Sequence, residues 1–136
     1  MIVDTSALIA ILRGEEDAAL FARSLEECPA PARLSAAGYL ELSIVLDAAG
    51  GDHSEMLDHF LQAAGIEIAP VTPHHARLAG GAYRRFGKGR GHPAGLNYGD
   101  CFSYALAKES GEALLFKGQD FALTDIRSAT ATATEQ

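Results

Sequence analysis

Ile2-Val3-Asp4-Thr5-Ser6-Ala7-Leu8-Ile9-Ala10-Ile11-Leu12 sets a short apolar run, an acid and a Thr-Ser pair ahead of a second apolar run. The Thr-Ser pair can cap a helix, so the stretch reads as strand, turn, helix. In open α/β sheets ligands bind beyond the carboxyl ends of the strands, which puts Asp4 at the crevice where chemistry is done. Asp4 also reads as part of a plain capping turn, since Asp readily bonds nearby backbone. Its companions further along the chain decide between these two.

The strand-then-helix pattern recurs. Glu16 to Glu27 reads as a second helix with Leu20, Phe21, Ser24 and Leu25 inward, stopped by Pro29 and Pro31. Ala32-Arg33-Leu34 reads as a strand, and Ala36 to Ala49 as a helix closed by Gly50-Gly51. Ser54 to Ala64 is a fourth helix ending at Gly65; Ile66-Glu67-Ile68-Ala69 alternates as a strand does; Pro73 opens a helix through Phe86. Gly87 to Gly95, with four glycines and a proline, is expected to be a mobile, exposed loop. Asn97 then begins a buried helix that Gly111 ends, and Ala113-Leu114-Leu115-Phe116 is the continuous apolar run of a central parallel strand. Thr124-Asp125-Ile126 is expected to add a short edge strand. From Arg127 the alternating Ala and Thr offer no periodic apolar face, so the domain is placed at residues 1–127 with a flexible tail at 128–136. Repeated strand-helix units predict an α/β fold, a three-layer α/β/α sandwich around a central parallel sheet with right-handed crossovers.

The length of 136 residues suits one domain with a real core, and the apolar fraction of 48% suits a soluble globular chain. No apolar run approaches the roughly 18 to 20 residues that span a bilayer, and no basic stretch precedes a cleavable apolar one. A cytoplasmic location with no membrane partner is expected. Cys28 and Cys101 stand in dissimilar contexts without CxxC or Cys-His spacing, which argues against a zinc site or disulfide framework and for two buried apolar side chains.

The net charge of -7 argues against bulk coating of nucleic acid. Its distribution is uneven. Ile68 to Gly99 contains no Asp or Glu, yet holds Arg77, Arg84, Arg85, Lys88, Arg90 and three histidines. An acidic molecule with one basic segment suits local handling of a phosphate backbone; a solvated helix face followed by a loop is the plainer reading of the same residues. Arg84, Arg85, Lys88 and Arg90 are the candidates for backbone contact, which carries affinity without sequence reading.

At about 100° per residue, Ser43 and Asp47 mark the wet side of the third helix, and Glu41 falls on the arc of Val45 and Ala48. A carboxylate there is costly to bury unless a cation or strong donors meet it. A Glu that turns back to water or to a terminal amide is the alternative. Asp100, three residues past Asn97, also fits a capping box. Under the predicted architecture Asp4 and Asp120 follow strands, while Glu41 and Asp100 sit in the first turns of helices. Four acids from distant parts of the chain would then gather at one end of the sheet. Like charges that close require a raised pKa or a bound cation, and oxygen-only ligands select magnesium or manganese. Such an ion supplies an activated water and neutralises charge on a reacting phosphate.

The opening I-V-D-T-S-A-L, Y-L-E-L around Glu41, L-N-Y-G-D-C-F-S-Y-A-L-A around Asp100 and L-L-F-K-G-Q-D-F-A-L-T-D-I around Asp120 resemble the PIN-domain ribonucleases, most closely the VapC-type toxins of toxin-antitoxin pairs. The resemblance covers nearly the whole chain before the tail, with the four motifs in order. It implies an α/β/α nuclease that cleaves RNA with Mg2+ or Mn2+, forms homodimers and is inhibited by a VapB-type antitoxin. It further implies that Asp4 and Asp100 are the principal metal ligands, that Glu41 completes the acidic site and orients water, and that Asp120 is the fourth acid. Thr5 or Ser6 would be a supporting polar group. Gln119 stands where such toxins often carry Asn or Asp, and Phe116-Lys117 where many have Thr or Ser; both departures bear on the fourth acid and its surroundings, not on Asp4, Glu41 and Asp100.

Asp125 is a rival for the role of Asp120. His74, His75 and His92 are expected to be surface residues or RNA contacts, because a hard-oxygen site does not need imidazole. Two other functions are weighed. A receiver-like phosphoacceptor domain would use Lys117, but it also needs an early acid pair and an Asp after a middle strand. A non-catalytic module could hold a basic partner in its acidic crevice, an arginine replacing the metal's charge. A haloacid-dehalogenase phosphatase is disfavoured because Asp4-Thr5-Ser6 lacks the second Asp.

Overall fold

A computed structural model describes residues 1–130. The strands are β1 (Ile2–Val3), β2 (Ala32–Ser35), β3 (Ile66–Ala69) and β4 (Leu114–Leu115). The helices are α1 (Thr5–Leu12), α2 (Ala18–Glu26), α3 (Ala36–Asp47), α4 (Ser54–Ala63), α5 (Pro73–Phe86) and α6 (Tyr98–Ser110). The sheet runs β3-β2-β1-β4 with all pairs parallel. The chain leaves β1 for β2 on one side, and β4 returns on the other. The direction of winding therefore reverses at β1, where a crevice opens beyond the carboxyl ends.

Alternation along the strands makes the three layers. Ile2 and Leu114 face the cluster built on α5 and α6, with Ala79, Ala82, Phe86, Tyr104 and Leu106. Val3 and Leu115, the next residues, face the opposite cluster with Leu8, Phe21, Leu25, Leu42, Leu57 and Leu61. All four strand residues are fully buried, as expected for a parallel sheet covered on both faces. Burial of each large side chain contributes roughly 1.5–3 kcal/mol, and α3 packs on both α1 and α6.

The helix boundaries follow local chemistry. Asp4 caps α1 by accepting from the Ser6 amide at 3.0 Å. Thr72 and Asn97 form capping boxes with His75 and Asp100. Gly111 ends α6 in the left-handed region at φ 69°, a conformation that favours glycine.

Several expectations need correction. Thr124–Ile126 is not a strand; a 3-10 turn covers Phe121–Leu123, and the edge pairing comes later, where the Leu114 amide donates to Arg127 O and Leu114 bridges Ser128. Of the segment expected to be a tail, Ala129 packs against the α1 cluster, and residues 131–136 lie outside the described residues. The Gly87–Gly95 loop is tied at its base: Lys88 N donates to Leu96 O, Leu96 N to Phe86 O, and Tyr83 Oη to Lys88 O. Its tip stays exposed. Cys28 is half-buried rather than buried, and both cysteines are free. His75 is buried beside Glu109, not a surface residue. On α3 Asp47 is exposed, but Ser43 is only partly so, and the most exposed side chains are Leu40 and Ile44.

Candidate active site

Four acids come from four separate parts of the chain. Asp4 follows the central strand β1, its amide donating to Leu115 O at 2.9 Å. Asp100 is the third residue of α6, where its Oδ2 accepts from Asn97 N at 3.0 Å. Glu41 lies in the second turn of α3, one turn later than expected, against the backbone of Gly99, where any side chain would collide with Glu41 Oε2. Asp120 is exposed at the start of the 3-10 turn beyond β4.

Their charges meet at Asp100. Burial first, and then the charges of Asp4, Asp120 and Glu41, push its carboxyl up to about 7 against the lowering effect of the Asn97 amide. The capping box and the acidic cluster are therefore both present at this residue. Glu41 is also raised, by burial and then by the charge of Asp4, while the Thr5 hydroxyl opposes the shift. Thr5 is 2% exposed and its hydroxyl also donates to Gly38 O at 3.1 Å. Ser6 Oγ accepts from the Lys117 amide at 3.0 Å, which joins the β4 exit to the first turn of α1.

Other residues are engaged elsewhere. Asp125 accepts from Tyr104 Oη at 2.7 Å and Lys108 Nζ at 2.8 Å and has Arg85 at 3.6 Å. The charge of Asp120 is among those that raise Asp100. Lys117, which a phosphoacceptor domain would turn toward its acids, pairs with Glu15 and Asp17 instead. His75 Nδ1 accepts from Thr72 N, and His92 meets Phe86 edge-on while its Nδ1 accepts from Ala94 N. His74, Arg84, Lys88 and Arg90 are exposed. Arg85 lies over the Phe86 ring at 4.6 Å.

Two features escaped the sequence reading. Ser103 is buried on α6 and donates to Asp4 Oδ1 at 2.6 Å; its only signal is a lone hydroxyl within an apolar run. Beside Glu41 an apolar surface also runs from Leu40 and Ile44 to Tyr98 and Phe102, with Tyr98 78% exposed. The available signal was the apolar pairs four residues apart, Leu40 with Ile44 and Tyr98 with Phe102, hidden by the assumption that the outer face of α3 is polar.

The donor set is all oxygen, and among the described residues none of the four acids is ion-paired. Nor do any three His, Cys, Asp or Glu side chains among them form a ready-made cage. Uncompensated carboxylates in an open arrangement fit magnesium or manganese, which bind through one or two carboxylates and keep several waters. They do not fit an ion that needs a closed shell of protein ligands.

Fold and site together define an α/β/α domain with an acidic crevice at the carboxyl edge of its sheet. The model of the PIN domain matches residues 1–126. Ribonuclease VapC28 of Mycobacterium tuberculosis is 54% identical over 130 residues, covering 95% of this chain and 97% of that protein. Ribonuclease VapC of Mycolicibacterium smegmatis is 50% identical over 127 residues, covering 93% and 97%. The crystal structure of Mycobacterium tuberculosis VapC20 shares the fold with a TM-score of 0.71 at 18% identity, covering 92% of this chain and 95% of that one. The chain belongs to the PIN-domain family, in its VapC branch.

Proposed function

We propose that the protein is a divalent-metal-dependent endoribonuclease and the toxin of a toxin-antitoxin pair. The naming of its 50–54% identical relatives as ribonucleases supports the reaction. The observation that carries the site is Asp100, a carboxyl raised to about 7 by burial and three neighbouring acids, none of the four ion-paired among the described residues.

Asp4 and Asp100 would hold a Mg2+ or Mn2+ ion, which would supply positive charge against the scissile phosphate and a polarised water. Asp4 is oriented for this by donors on both its oxygens. Glu41, raised by burial and by Asp4, orients the attacking water and accepts its proton. Asp120 adds negative charge that strengthens cation retention, and the Thr5 hydroxyl, which donates to Gly38 O, lies beside Glu41 and opposes its upward shift. Arg84, Lys88 and Arg90 meet the RNA backbone, with Arg85 contributing less because it already faces Asp125.

The partner in inhibition is a VapB-type antitoxin that sets a basic side chain among the acids, as the unneutralised crevice favours. The apolar surface of Leu40, Ile44, Tyr98 and Phe102 supports a homodimer, which sedimentation of the wild type and Ile44→Asp tests. No described helix is long and apolar enough to cross a membrane, which accords with a cytoplasmic place of action. The test of the reaction is cellular RNA incubated with manganese or with chelator. Cleavage is expected only with wild type and metal; equal cleavage by Asp4→Asn overturns the assignment.

A further inference from the structure

Ser103 lies in the interior of α6, one turn beyond Asp100, and is 3% exposed. Serines inside helices commonly return the hydroxyl to the carbonyl four residues back. Ser24 does so to Leu20 O at 3.0 Å and Ser110 to Leu106 O at 2.8 Å. Ser103 does not. Its Oγ donates to Asp4 Oδ1 at 2.6 Å across 99 positions of sequence. A hydroxyl on a carboxylate at this length belongs to the strong, charge-assisted class.

Asp4 is itself 5% exposed, and its other oxygen accepts from Ser6 N at 3.0 Å. One donor on each oxygen fixes the plane of the carboxylate. A carboxylate has about four acceptor positions, so capacity for a cation is kept. Alanine, present nearby at 105 and 107 on the same buried helix, would serve the helix better than serine. The local fold alone does not call for a hydroxyl at 103.

We propose that Ser103 is a positioning residue of the metal site, its hydroxyl holding the Asp4 carboxylate in the orientation that lets Asp4 and Asp100 share one divalent ion. The inference rests on the metal-site reading above. Because α6 carries both Asp100 and Ser103, the bond also ties the β1–α1 junction to the helix that bears the second ligand. Without it Asp4 keeps only the Ser6 tether, and its carboxylate must be ordered when the ion binds. Hydrogen bonds to metal ligands typically change metal affinity about ten- to hundredfold when removed.

The test is calorimetric titration of Mn2+ into chelator-stripped wild type, Ser103→Ala, Ser103→Thr and Asp4→Asn, with a melting curve of each metal-free protein. The expected result is a loss of about ten- to hundredfold in Mn2+ affinity for Ser103→Ala, with a metal-free melting temperature lowered by the lost buried bond. Ser103→Thr, which keeps the hydroxyl, recovers most of the affinity. If threonine is too large to fold, Ser103→Cys replaces it and, as a weak donor of similar size, binds as poorly as alanine. Wild-type affinity in Ser103→Ala while Asp4→Asn fails to bind overturns the role of Ser103 and leaves the metal site standing. Weak binding by both Ala and Thr with lowered melting temperatures, or wild-type binding by Cys, shows a packing role and also overturns it. A wild type that takes up no Mn2+, or an Asp4→Asn variant that binds normally, overturns the metal site and this inference together.

Discussion

The two ends of the sheet treat carboxylates in opposite ways. Just before β4, Glu112 accepts from the Met1 ammonium at 2.5 Å and from Arg33 at 2.6 Å, and these bonds hold its carboxyl down at about 2. At the other end, beyond β1 and β4, Asp100 is pushed up to about 7 beside acids that are not ion-paired among the described residues. The first arrangement is complete as it stands. The second is relieved when a proton or a cation arrives, and this contrast supports placing the proposed ligand at that end.

The largest effect expected from breaking this contrast is on catalysis. Asp4→Asn and Asp100→Asn should each lower RNA cleavage in manganese by about a thousandfold or more, the scale at which an essential charge-stabilising group acts. Glu112→Gln should leave the rate within about twofold while lowering stability by under about 1 kcal/mol, the range for exposed ion pairs. Initial rates and denaturant melts measure both. Comparable losses of activity at both ends would erase the distinction.

Stability against pH sharpens it further. Asp100 has a folded pKa raised above its unfolded value, so the folded state binds more protons between about 4 and 7. Its contribution to metal-free stability is present below that window and is lost as pH rises through it. The melting temperature in chelator should therefore fall as pH rises from 5 to 8, and Asp100→Asn should remove that part of the slope and be the more stable protein at pH 8. Its amide oxygen can still accept from Asn97 N, so the cap survives. Parallel slopes in the two proteins would contradict the account. Glu112 behaves oppositely: its depressed pKa gives stability present above its unfolded value and lost as pH falls toward 2.

Saturating Mn2+ should raise the wild-type melting temperature by an amount that grows with concentration, as binding to the folded state alone requires. No rise is expected for Asp4→Asn. The smallest effect concerns the basic segment. Neutralising Arg84, Lys88 and Arg90 together should reduce the salt dependence of RNA binding by up to about 0.7 in slope per lost contact, and Arg85→Ala should do less, because Arg85 already faces Asp125. An unchanged slope in the triple variant removes this segment from the RNA surface.

Much of this was legible in the sequence because parallel strands are read from continuous apolar runs and helices from their caps. Asn97, Thr72-Pro73 and Gly111 mark helix ends that the structure keeps. Strand-helix order places Asp4 and Asp120 at the carboxyl ends of strands, since topology decides which end of a strand an acid sits at; Glu41 and Asp100 lie on helices, and Glu41 comes a turn later than expected. What escaped depends on contacts between distant residues. Nothing local says that Ser103 faces Asp4, or that Leu96 closes the glycine-rich loop by exchanging backbone bonds with Phe86 and Lys88. Leu114 pairs at Ser128 through backbone groups, which leave no side-chain period to detect. The exposure of Leu40 and Ile44 is not foreseen by placing the wet side of α3 at Ser43 and Asp47, since an amphipathic helix is expected to turn its polar side to water.

The most direct test of the central claim is the titration of the Asp100 side-chain carboxyl by carbon NMR, in chelator and again with saturating Mg2+. A midpoint near 7 without metal, displaced well below it when Mg2+ is present, is what the account requires. An ordinary carboxylate midpoint of about 4 in both conditions would show that the acids neither crowd one another nor hold an ion.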